Sequence, residues 1–123
     1  AGPVDNVREY YAAADIFVLP TLYEPFGLVI TEAMASALPV VVTKAAGAAE
    51  DIIEDRRDGV LISDGLDARE LAAAIVTLLD DPDLRKTLGE NALKKVQAYN
   101  WDSCVRRVEE VYQEVHQKLV GMK

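Results

Sequence analysis

Apolar and polar positions divide the chain into two halves. In the first half, three short runs are apolar at every position: Ile16-Phe17-Val18-Leu19, Val40-Val41-Val42 and Val60-Leu61-Ile62. Segments of helical pattern separate them. Strands that are apolar throughout and alternate with helices indicate a parallel sheet covered on both faces. A sheet with one wet face would alternate with period two, and no run here does. Proline and glycine punctuate the pattern, with Pro20 stopping the first run, Pro39 opening the second and Gly59 turning the chain into the third. Helices are expected from a cap at Asp5 through Ala13, from about 27 to 37, and near 48–53 after the loop Ala45-Ala46-Gly47.

The second half is helical. Asp67 with Glu70 three residues on is an acidic version of the capping box. Leu71, Ala74, Ile75, Leu78 and Leu79 follow at amphipathic spacing. Asp81-Pro82 restarts a helix with proline in its first turn, and Leu84, Leu88, Ala92 and Val96 form its stripe. Asn100 is placed to cap a last helix with Trp101, Val105, Val108, Tyr112, Val115 and Leu119 on one side. The expected fold is therefore α/β: a partial Rossmann-like parallel sheet of about three strands flanked by helices, ending in helices. Residues 1–66 form the α/β part and 67–123 the helical part of a single unit. Three strands fall short of the five or six of a full doubly wound sheet, so the unit reads as a partial domain.

Composition narrows the function classes. The 123 residues suffice for one core. No stretch approaches the ~20 apolar residues of a membrane span, since the longest, 33–42, is broken by Ser36 and Pro39. The N-terminus has no basic-then-apolar signal pattern. Cys104, the single cysteine, leaves no internal disulfide or cysteine metal cluster and fits a reducing, cytoplasmic setting. Thirteen basic against 21 acidic residues give a net charge of −8, which argues against nucleic acid or anionic lipid as partner. Any phosphate bound here needs positive potential from backbone amides or from outside the chain.

The chemistry concentrates in Tyr23-Glu24-Pro25-Phe26-Gly27-Leu28-Val29-Ile30-Thr31-Glu32-Ala33. This segment follows a strand and leads into a helix, the place where open α/β sheets bind ligands. Free amides at Phe26, Gly27 and Leu28, with the helix dipole, suit a phosphate or a sugar hydroxyl, and Gly27 keeps the approach clear of a side chain. Glu32 lies roughly 7.5 Å further along the helix, in position to accept hydrogen bonds from a vicinal diol such as ribose. Glu24 can accept from hydroxyls of a second ring. Spacing alone proves little: ten glutamates in this length produce roughly 0.8 pairs eight apart by chance. The strand before them and the Phe-Gly helix start between them carry the weight.

These residues resemble a known family. Ala12-Ala13-Ala14-Asp15-Ile16-Phe17-Val18-Leu19-Pro20, Glu24-Pro25-Phe26-Gly27-Leu28 and Glu32-Ala33-Met34-Ala35 are similar to the C-terminal domain of retaining GT-B glycosyltransferases. That group includes bacterial mannosyl-, glucosyl- and galactosyltransferases and is akin to glycogen and sucrose synthases. Its hallmark is a Glu, seven residues, then Glu. Leu38-Pro39-Val40-Val41, Gly59-Val60-Leu61 and Tyr99-Asn100-Trp101 match further on, in the same order. The resemblance implies a nucleotide-diphosphate sugar as donor, with Glu32 on the ribose hydroxyls and Glu24, the candidate catalytic residue, on the transferred sugar. The backbone of Phe26, Gly27 and Leu28 would hold sugar hydroxyls or diphosphate, with Leu28 also lining the nucleotide pocket. It further implies no cofactor and no metal, with helix ends and basic side chains stabilising the leaving diphosphate.

The upstream glycine-rich turn and basic pair of such enzymes have no counterpart in the chain, and neither does an acceptor domain. The isolated chain is therefore expected to be inactive, with any membrane association of the parent enzyme peripheral. Gly47-Ala48-Ala49-Glu50 departs from the family's Gly-Gly-x-x-Glu, so contact of that loop with ligand stays open beside a bracing role for Glu50. Arg56-Arg57 and His116 read as surface residues, and Cys104 as packing or surface. The Trp101–Leu119 stripe is expected to expose an apolar face and favour self-association. Two rival readings stand: a non-catalytic interaction module with this fold, and another GT-B enzyme such as a nucleotide-sugar epimerase or a phosphorylase.

Overall fold

A computed structural model describes residues 5–23, 28–47, 49–63, 65–99 and 101–121. In chain order the elements are α1 (Val7–Ala13), β1 (Phe17–Leu19), α2 (Leu28–Ala35), β2 (Val40–Thr43), α3 (Ala49–Ile52), β3 (Val60–Ile62), α4 (Ala68–Asp80), α5 (Pro82–Gln97) and α6 (Trp101–Gly121). The three strands form one parallel sheet in the order β1-β2-β3, with Val18 beside Val41 and Val41 beside Val60. This is the expected architecture.

Apolar positions fill both faces of the sheet because successive strand residues point to opposite sides. Val40 and Val42 pack with Ile30, Ala33, Met34, Ile53 and Ala92 on one face. Val41, Val60 and Ile62 pack with Ala74, Leu78 and Leu88 on the other. All four residues of β2 are buried. A strand that must satisfy two cores has no position left for a polar face, except at its end. There Thr43, fully buried, donates its hydroxyl to the carbonyl of Thr21. Because the strands are parallel, that bond ties the loops at their carboxyl ends together.

Helix α5 closes the opposite end. Leu88 belongs to one core cluster and Ala92 to the other, so α5 bridges them. Besides Arg85, which donates to the Leu78 and Leu79 carbonyls at the end of α4, it contacts residues just before β2 and β3. The Asn91 amide donates to the carbonyl of Arg57 at 2.7 Å, and Lys95 pairs with the buried Asp58 at 2.6 Å. Gly89 faces the carbonyl of Ala37, and a Cβ there would lie 3.0 Å from that carbonyl carbon. Helix α5 thus covers the amino ends of β2 and β3.

Helix ends required correction in two places. Asn6, not Asp5, is the N-cap of α1, and its side chain makes no capping bond to the helix; its amide instead donates to the Glu9 carboxylate at 2.7 Å. Helix α2 stops at Ala35. Ala37 N–H bonds to Met34 O and Leu38 N–H to Ala33 O, the paired bonds of a Schellman cap, with Ala37 at φ 56°. Alanine rarely takes that conformation, so local propensity concealed the stop. Asp67 caps α4 as expected, accepting from Arg69 and Glu70 N–H. Glu70 also reaches across to Ser63, accepting from its N–H and its hydroxyl, each at 2.8 Å.

Two further expectations meet the tertiary structure. Asp81 caps α5, and Leu84, Leu88, Ala92 and Val96 all contribute to the cores. Leu79, assigned to the buried stripe of α4, is 57% exposed, because the core touches only the narrower face through Ala74 and Leu78. Among the described residues helix α6 supplies none to either core. Its stripe of Val105, Val108, Val111, Tyr112, Val115 and Leu119 is exposed along its length. Asn100, expected to cap this helix, lies outside the described residues.

Candidate functional site

The site is built where α2 leaves the carboxyl end of the sheet. Residues 28–35 form a helix because Ile30, Ala33 and Met34 recur at helical spacing and bury fully against β2. Burying that face turns Glu32 outward. Leu28, one turn earlier, is 67% exposed on the same side. Thr31 donates its hydroxyl to the Leu28 carbonyl at 2.9 Å, a local bond that stiffens the first turn. The assignments to Glu24, Phe26 and Gly27 lie outside the described residues.

Glu32 borders a cavity of about 520 Å³ with Val7, Arg8, Tyr11, Ala35 and Ser36. One wall is α1 and the other α2. The Tyr11 hydroxyl donates to Glu32 Oε2 at 3.1 Å, joining the two walls. The ring of Tyr11 is fixed by Phe17 at the start of β1, with centroids 6.2 Å apart and planes tilted by 48°. Burial raises the Tyr11 pKa above the usual 10.0, and both the hydrogen bond to Glu32 and the Glu32 charge push it the same way. Tyr11 therefore stays a neutral donor beside the carboxylate.

Tyr11 was not singled out from the sequence. The only signal was its place in the apolar pattern before Ala12-Ala13-Ala14, which gives no hint of a hydroxyl aimed 21 residues ahead. Arg8 places a cation on the same wall in an otherwise acidic chain, and among the described residues it forms no ion pair.

Other sequence candidates stand apart from this cavity. Arg57 forms an exposed pair with Glu54 at 3.3 Å, a surface role as expected. Arg56 occupies a left-handed turn at φ 68°. Glu50 is exposed in the first turn of α3, and Cys104 and His116 are exposed on α6. Among the described residues, no group of three or more His, Cys, Asp and Glu is arranged to hold a metal ion, and no helix is long and apolar enough to cross a membrane.

A three-stranded parallel sheet with helices on both faces has the architecture of the C-terminal, Rossmann-like half of GT-B glycosyltransferases. Residues 1–95 match the family profile "Glycosyl transferases group 1", and the chain belongs to that glycosyltransferase family. It is 38% identical over 116 residues to D-inositol 3-phosphate glycosyltransferase of Corynebacterium kroppenstedtii, covering 94% of this chain and 25% of that protein. Among solved structures it is similar to sucrose-phosphate synthase of Thermosynechococcus elongatus, with TM-score 0.79 and 36% identity over 96% of this chain and 30% of that one. It is also similar to Anabaena HepE, solved in complex with UDP, with TM-score 0.76 and 30% identity over 90% of this chain and 30% of that one. The chain spans about a quarter of the length of the curated relatives it matches.

Proposed function

We propose that this chain is the rear part of the donor-binding domain of a retaining, metal-independent hexosyltransferase that takes its sugar from a nucleotide diphosphate. The observation that carries the reading is Glu32, an exposed carboxylate on the helix that follows the carboxyl end of β1, bordering a cavity between α1 and α2. In this reading Glu32 accepts hydrogen bonds from the ribose diol. Glu24 is the catalytic residue and contacts hydroxyls of the transferred sugar. The main chain of Phe26, Gly27 and Leu28 holds sugar hydroxyls or diphosphate, where the dipole of α2 favours negative charge. That HepE has been solved with UDP and with UDP-glucose supports a donor of this class.

The remaining parts of the reaction belong to segments of the relatives that this chain does not span. They are the basic grip on the departing diphosphate and the domain that presents the acceptor. On this reading the isolated chain binds donor nucleotide without transferring sugar, and the parent enzyme works in the cytoplasm.

Calorimetric titration with UDP, GDP and ADP tests the proposal. One nucleotide is expected to bind, with binding lost in Glu32→Ala and unchanged by EDTA. Equal binding by Glu32→Ala would place the nucleotide elsewhere and refute the site. Loss of binding in EDTA would refute metal independence. Sugar transfer to an acceptor by the pure chain would refute its standing as a fragment of the active unit.

A further inference from the structure

We infer that Tyr11 is a positioning residue, whose hydroxyl holds the Glu32 carboxylate in the one orientation that receives both hydroxyls of the donor's ribose; this rests on the donor-site reading above. Three observations converge on it. The ring is held against Phe17 and its hydroxyl ends 3.1 Å from Glu32 Oε2, across the gap between α1 and α2. Both residues line the same cavity. Among the described residues Glu32, exposed on its helix, makes no other side-chain hydrogen bond or ion pair, whereas Tyr11 is half-buried, so the tyrosine is the rigid partner and the glutamate the mobile one.

The chemistry follows from the number of acceptor sites. A carboxylate offers about four lone-pair positions on two oxygens. The tyrosine uses one of those on Oε2, which leaves Oε1 and the other side of Oε2 for a cis diol. An exposed glutamate without that bond samples several rotamers, and binding must then order it. Immobilising one such side chain in advance improves affinity by about two- to tenfold. The hydroxyl of Tyr11 accomplishes this without touching the ligand. Its raised pKa keeps it protonated, and so a donor, throughout the neutral range.

The test compares the intact chain with Tyr11→Phe, Glu32→Gln and the double variant, by calorimetry against UDP, GDP and ADP and their 2′,3′-dideoxy counterparts. Phenylalanine keeps the ring that packs on Phe17 and deletes only the hydroxyl. Tyr11→Phe is expected to weaken the bound ribonucleotide by about two- to tenfold and to leave the dideoxy nucleotide unchanged. In the double variant the tyrosine effect should vanish, since nothing remains for it to orient. Equal weakening of ribo- and dideoxynucleotides would mean that Tyr11 acts through packing and would overturn the inference. Wild-type affinity in Tyr11→Phe, with binding still weakened in Glu32→Gln, would overturn it while leaving the donor site standing. Failure of the unmodified chain to bind any of the three nucleotides would overturn the donor site and the inference together.

Discussion

Replacing Gly89 by alanine sets two physical effects of opposite sign against each other. Gly89 lies in the interior of α5, where alanine is favoured over glycine by about 1 kcal/mol. If helix propensity decided the outcome, the variant would be more stable. The tertiary structure argues otherwise. An alanine Cβ at this position would stand 3.0 Å from the carbonyl carbon of Ala37, nearer still to its oxygen, and 3.7 Å from the carbonyl carbon of Leu38. These are backbone atoms at the end of α2, where the Schellman bonds of Ala37 and Leu38 hold them. They cannot rotate aside, so α5 must back away from α2. Leu88 and Ala92 flank Gly89, are fully buried, and move with it.

Overpacking of this kind costs about 1–3 kcal/mol, and contact with backbone belongs in the upper part of that range. After the propensity gain, the expected net loss is about 2 kcal/mol. An unfolding entropy near 2.1 cal/mol/K per residue amounts to roughly 0.25 kcal/mol/K for this chain, so Tm should fall by about 8 °C. Scanning calorimetry with parallel urea titrations measures both quantities. Gly121→Ala is the control, because a Cβ there meets nothing within 4 Å. A Gly89→Ala variant that melts higher than the parent would refute the close crossing of α5 over the end of α2.

Four further outcomes are expected. Ala37→Gly should stabilise the chain by about 0.5–1 kcal/mol, seen as a higher Tm, because a left-handed φ costs alanine about 1–2 kcal/mol and glycine loses part of that gain to unfolded-state entropy; an unchanged or lower Tm would contradict the cap. Asp58→Ala should cost about 3 kcal/mol in urea unfolding, since it strands the half-buried Lys95 ammonium and the Glu54 N–H that now donates to Asp58 at 2.7 Å. Because the folded state raises the Tyr11 pKa, that proton contributes stability in full below pH 10 and loses it as pH rises through the folded value; Tyr11→Phe should therefore show a shallower fall in Tm above pH 10, and parallel slopes would refute the shift. The exposed stripe of α6 should make the chain associate at high concentration, with Val108→Glu and Val115→Glu together restoring a monomer by light scattering; a parent chain that stays monomeric would refute this.

Much of the fold was legible from periodicity. Three runs without a polar position can only be strands buried on two faces, and β1, β2 and β3 fall within a residue of where those runs lie. Asp67 and Asp81 announced the starts of α4 and α5, because a capping side chain bonds to the amides two or three residues ahead and so leaves a local mark. Glu32 was legible for the same reason: the burial of Ile30, Ala33 and Met34 turns it outward by helical geometry alone.

Other features have no local mark. The left-handed Ala37 is set by where α2 must end so that Leu38 can enter the core. Gly89 has its reason 52 positions away, in a carbonyl it nearly touches. Tyr11 meets Glu32 only because β1 sets α1 alongside α2. The α6 stripe has the same amphipathic spacing as a buried helix, yet among the described residues no core residue packs on it. The strands, the starts of α4 and α5 and the outward turn of Glu32 follow from neighbours within a few residues, so the sequence by itself determined them. The Tyr11 hydroxyl on Glu32, the crossing at Gly89 and the fate of each apolar face depend on which distant segments are brought together, and only the tertiary structure decided those.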